Sequence, residues 1–208
     1  MNQYRFAWKP VAATVIIAAL LWWMTFYLQF GVFWFKIAFS AFVLAVLSFI
    51  LQPARLIDFR INWRSIAIGL VSAALLYLLF WAGKTLSTAL LPFAGDQIGA
   101  IYDKGEGTPQ WVIILLLFFI TGPCEEIYWR GYLQRQLMVR FGTAGGWLLA
   151  TLCYAGVHIS SGNFMLTAAA GVAGAFWGIM YWRFKDLSPV IISHCIWSTF
   201  IFAVMPVP

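Results

Sequence analysis

Residues 11–30 contain no charged side chain, and comparable runs recur along the chain. Residues 32–51 carry only Lys36, residues 65–91 only Lys84, and residues 111–121 and 164–182 none. About 20 apolar residues in a helix cross a hydrocarbon layer roughly 30 Å thick. Inside that layer every backbone N–H and C=O must be satisfied within the protein, which leaves helices or closed barrels. Long runs without alternation exclude the barrel. Composition agrees: 10% of residues are charged and 63% hydrophobic, with a mean hydropathy of +0.86. A soluble domain carries about 25% charged residues, enough to cover a wetted surface. The expected fold is therefore all-α, a polytopic transmembrane bundle in a cell membrane.

About seven spans are expected, over residues 11–30, 32–51, 65–91, 110–140, 147–159, 164–182 and 189–205. Gly31, the 141–146 segment (FGTAGG), Ser160–Asn163 and the 183–188 loop mark turns. Pro189 suits the first turn of a helix, where its missing N–H costs little. Residues 92–109 are expected to be the longest polar loop, with Asp96, Asp103 and Glu106. The first apolar run lacks a small-residue cleavage site and is expected to remain as a helix. No internal repeat is visible. Residues 1–208 form a single membrane domain, with residues 1–92 accessory and residues 110–205 the core. The basic residues Arg5, Lys9, Arg55, Arg60, Arg64 and those of 130–140 and 183–188 fall on one side of seven spans, and the acidic 92–109 segment on the other. By the positive-inside rule the N-terminus is inside and the C-terminus outside. The net charge of +6 is scattered over short loops, which argues against nucleic acid as a partner. The oligomeric state is not readable.

Against this background Gly122-Pro-Cys-Glu-Glu-Ile-Tyr-Trp-Arg130 stands out, because it puts two carboxylates and an arginine into a membrane helix. One charge at the bilayer centre costs about 2.5–3.5 kcal/mol on insertion scales, so such groups face the protein interior and find partners. Glu126 and Arg130 are spaced i,i+4 on one helix face and can pair. Glu125 lies about 100° round the helix, lacks that partner and is the carboxylate left for chemistry. The chain's two histidines, His158 and His194, both fall in spans. Tyr154 shares a face with His158, and Ser198 with His194. If the helices before and after 141–146 form an antiparallel hairpin, Glu125 and His158 come to a similar height, roughly 20–25 Å from the turn. The expected site is a polar cluster between these helices and the last one, opening toward the cytoplasm.

Taken together, Glu125-Glu126-x-x-x-Arg130, Tyr154-x-x-x-His158 and His194-x-x-x-Ser198 resemble the three motifs of the CPBP family. These are CaaX proteases and bacteriocin-processing enzymes, glutamic-type intramembrane endopeptidases that include the type II CaaX prenyl endopeptidases. The usual forms are EExxxR, FxxxH and HxxxN, and Trp129-Arg130-Gly131-Tyr132-Leu133 is similar to the family's FRGxL continuation. The resemblance covers about residues 111–205. Tyr154 stands where Phe is usual, and Ser198 where Asn is usual. It implies that Glu125 and His158 activate a water, that Glu126, Arg130 and Tyr154 support them, and that His194 and Ser198 face the oxyanion. The expected substrate is a membrane-delivered protein or peptide within the lipid bilayer, and no organic cofactor or metal is expected. Other readings stay open. Two Glu and two His can coordinate zinc. Cys124, Cys153 or Cys195 can act as the nucleophile of a sorting transpeptidase. A transporter using a proton relay, or a non-catalytic immunity or binding protein, can also use buried Glu and His.

Overall fold

The computed structural model describes residues 6–52 and 59–206, and the described residues are helical with short connections. Arg5, Pro53, Arg55 and Asp58 lie outside them. The order is α1 (Trp8–Phe26), α2 (Phe33–Leu51), α3 (Trp63–Leu90), the short α4 (Ala94–Tyr102), α5 (Gln110–Leu116), α6 (Gly122–Glu126), α7 (Arg135–Val157), α8 (Phe164–Phe184) and α9 (Ser188–Thr199). Trp8–Phe26, Phe33–Leu51, Trp63–Leu90, Gln110–Ser161 and Phe164–Phe184 are long and apolar enough to cross a membrane; Ser188–Val204 is shorter but apolar. Ile16, Leu20, Phe39, Phe42, Leu78 and Leu152 stay exposed on the outside. In water such a surface would aggregate. In a bilayer it is the surface that meets lipid.

The run Gln110–Ser161 doubles back within itself. Gly142 has φ +74°, which breaks α7 where the sequence places a turn. A Cβ on Gly146 would collide with the backbone of Met138, so the two arms leave the turn closely packed. The polar segment 92–109, expected to be a loop, instead contains α4. Its docking is specific: the Asn163 side chain donates to the Gln97 carbonyl at 2.7 Å, and the Gln97 side chain accepts from the Met165 N–H at 3.0 Å. Asn62 caps α3, accepting from the Ser65 N–H at 2.9 Å while its own N–H is bound by the Ser65 hydroxyl.

Around the acidic motif the helix widens. Leu117–Thr121 and Ile127–Gln134 are π-helical, on either side of α6. Pro123 accounts for the first: it offers no N–H, and its ring presses on the carbonyl four residues back. Segments of this kind often mark functional sites, because they break the register of an otherwise uniform helix. Close approach also shapes the neighbours. A Cβ on Gly122 would lie 2.8 Å from Cys195 Sγ, so α6 and α9 touch where glycine permits it. On α8, a Cβ on Gly174 would lie 2.9 Å from Tyr154 Cδ1, so that glycine makes room for the tyrosine ring.

Candidate active site

The two adjacent glutamates face different surroundings. Glu126 is fully buried, and its Oε1 accepts from Arg130 at 2.8 Å and from His194 Nδ1 at 2.6 Å. Arg130 also donates to the Gly174 carbonyl at 3.2 Å, and its guanidinium lies 4.8 Å from the Tyr154 ring centroid and 5.5 Å from that of Trp177. His194 stacks on Trp177 with ring centroids 3.9 Å apart. The Glu126 carboxylate thus ties α6, the following π segment, α8 and α9 together. With Nδ1 on Glu126, His194 presents Nε2 to the remaining space.

Glu125 points the other way, into a cavity of about 440 Å³ that Tyr154, His158, His194 and Ser198 also line. Its Oε2 accepts the Tyr154 hydroxyl at 2.8 Å. Its Oε1 has no hydrogen-bond partner among the described residues. The hairpin at Gly142 therefore brings Glu125 level with Tyr154, one turn before His158.

His158 is held at both nitrogens. Nδ1 lies 2.7 Å from the Tyr154 carbonyl, and Nε2 lies 3.3 Å from the indole nitrogen of Trp22 on α1. Ser198 lines the cavity, but its hydroxyl donates to the His194 carbonyl at 2.8 Å, within its own helix. Cys124, Cys153 and Cys195 are not among the cavity-lining residues. Among the described residues, no group of three His, Cys, Asp or Glu side chains converges as metal ligands would.

Two features of the cavity were not legible in the sequence. Residues 1–92 offered no site residue in the sequence, yet α1 supplies Trp22, while Phe33, Trp34 and Ile37 of α2 and Leu79 and Phe80 of α3 line the cavity. The cavity also does not open among the basic loops. Its rim is built at the α4 end by residues such as Leu91, Ile98, Tyr102, Lys104 and Phe164, and none of its lining comes from segments 59–64, 135–146 or 183–188. Hairpin geometry gives the height of His158, but height does not say toward which end of the bundle the space between helices continues.

These features define a multi-pass, all-α membrane protein with a buried carboxylate–imidazole site in an apolar cavity. Residues 107–200 match the family model described as type II CAAX prenyl endopeptidase Rce1-like, so this segment is similar to that family. All the motif residues lie inside the match. The description is one of endopeptidases, and the multi-pass helical architecture and the buried site are compatible with it. No match was found among the curated proteins or the solved structures compared with it.

Proposed function

We propose that the protein is a glutamic-type intramembrane endopeptidase in which Glu125 activates the attacking water. The observation that carries this reading is the asymmetry of its carboxylate: Oε2 is fixed by Tyr154, while Oε1 is left toward the cavity. A general base needs that combination of fixed geometry and one open lone pair. Glu125 takes a proton from the water as its oxygen bonds to the scissile carbonyl carbon. The same proton then passes to the departing amine as the C–N bond breaks. His158 shares the water when its Nε2 lone pair is free.

The oxyanion role falls chiefly on His194. With Nδ1–H on the Glu126 carboxylate, a protonated Nε2 donates into the cavity, and Glu126 and Arg130 hold the ring in place. Ser198 joins only if its hydroxyl turns away from the His194 carbonyl. Metal is not needed in this scheme, because the carboxylate generates the nucleophile. The chain is read as seven passes, with Gln110–Ser161 counted as two. The apolar cavity suits an apolar peptide segment delivered within the bilayer, and the family points to the prenylated carboxy-terminal tail of a CAAX protein.

The test is a panel of membrane-delivered peptides, some with prenylated CAAX tails and some with apolar leader segments, presented to purified protein in liposomes with and without a strong chelator. Cleavage that survives the chelator supports the reading. Cleavage abolished by chelator and restored by zinc would replace it with a metalloprotease.

A further inference from the structure

The contact between Trp22 and His158 joins residues 136 positions apart, from a helix that bears no family motif. An indole N–H can only donate and a backbone carbonyl can only accept. One protonation state satisfies both neighbours of His158. The imidazole is neutral, its proton is on Nδ1 toward the Tyr154 carbonyl, and the lone pair of Nε2 lies under the Trp22 N–H. Trp22 is fully buried and is not among the cavity-lining residues, so it acts from behind the histidine. It is also anchored independently of this bond. Its ring meets Trp129 edge-on at 5.7 Å, and Trp129 meets Tyr154 edge-on at 5.0 Å. The same aromatic row thus reaches both His158 and the tyrosine that holds Glu125.

An imidazole has only one lone pair at Nε2, and a water proton and an indole N–H cannot both use it. We propose that Trp22 is a positioning residue that occupies the His158 lone pair, so that helix α1 sets how often His158 is available to the water. This inference rests on the endopeptidase reading given above. The separation of 3.3 Å is long for an N–H hydrogen bond, so the hold is weak and the water can displace it. A hydrogen bond of ordinary net strength corresponds to an effect of roughly two- to tenfold.

The experiment uses protein labelled with 15N at histidine only, which gives signals from His158 and His194 alone; His158→Gln assigns them. In the wild type, His158 is expected to show a protonated Nδ1 and an Nε2 that bears no proton but accepts a hydrogen bond. Trp22→Phe keeps a ring against Trp129 and removes the N–H. It should move the Nε2 signal from that of a nitrogen held by the indole N–H to that of one exchanging with water, and raise kcat roughly two- to tenfold with KM unchanged. A purely structural tryptophan would lower activity and leave that nitrogen signal where it was. The proposal is overturned if wild-type His158 carries its proton on Nε2 or on both nitrogens, a result that needs no variant to fold. It is equally overturned if Trp22→Phe leaves the signal or kcat unmoved, or lowers kcat. Failure of the endopeptidase reading looks different: no peptide is cut by the wild type, while the nitrogen signals still decide the contact.

Discussion

Replacing Arg130 with Met removes one charge from a fully enclosed pair while keeping most of the stem volume. The guanidinium is 2% exposed and its partner Glu126 0%, with 2.8 Å between them. Breaking a buried pair from one side costs about 3–5 kcal/mol, because the remaining charge is left without compensation. Arg130→Met also gives up the bond to the Gly174 carbonyl, worth about 0.5–1.5 kcal/mol. Against this, His194 remains on Glu126, and in a membrane the unfolded state also finds polar partners, which reduces such losses. A net loss of about 3–4 kcal/mol follows. Glu126→Gln with Arg130→Met removes both charges, and the pair of substitutions should cost about 1–2 kcal/mol, less than Arg130→Met alone. Equilibrium unfolding in mixed micelles, run as a double-mutant cycle, measures this. The reasoning is refuted if Arg130→Met costs under about 1 kcal/mol, or if the double variant is no more stable than Arg130→Met.

The other predictions concern catalysis and sidedness. Ser198→Ala should change kcat by less than about threefold, because the hydroxyl proton is committed to its own helix, whereas removing a working oxyanion donor costs about 100- to 1,000-fold. Ser198→Asn, which introduces a longer side chain with two donors, should raise kcat; a loss in Ser198→Ala on the larger scale would give the oxyanion role back to the hydroxyl. A variant with Cys124, Cys153 and Cys195 all replaced by Ala should keep the peptidase activity, measured as initial rate, since none of them lines the cavity. A cysteine placed at Glu106, near the cavity rim, should react in intact cells with a membrane-impermeant maleimide, and one placed at Arg183 should not. The opposite labelling would put the cavity on the cytoplasmic side and reverse the topology read from the basic loops.

Much of the architecture could be read because bilayer and helix geometry leave few choices. Uncharged runs mark spans, and the i,i+4 spacing of Glu126 and Arg130 led to the pair found at 2.8 Å. Hairpin geometry about Gly142 predicts His158 near the height of Glu125; the structure brings Tyr154 level with Glu125, with His158 one turn further on. Other features left no local trace. α4 is a short helix containing Gly95 and Gly99, stabilised by the Gln97 contacts to α8 and its cap rather than by its own propensity. Trp22 meets His158 across most of the chain, and no periodicity in α1 distinguishes it from its neighbour Trp23. The state of Ser198 depends on which acceptor its hydroxyl reaches first, and in a helix the carbonyl four residues back is always within range.

The central claim is that Glu125 generates the nucleophile, and Glu125→Gln tests it with the least disturbance, since the amide keeps the size of the side chain and an oxygen that can still accept from Tyr154. The measurement is kcat for one cleaved peptide in liposomes, wild type against Glu125→Gln, with folding checked by thermal unfolding. The account predicts a fall of at least about 100-fold at an unchanged Tm, the lower end of what a general base contributes. A Glu125→Gln enzyme working within about threefold of wild type would contradict it and move the chemistry to another group in the cavity.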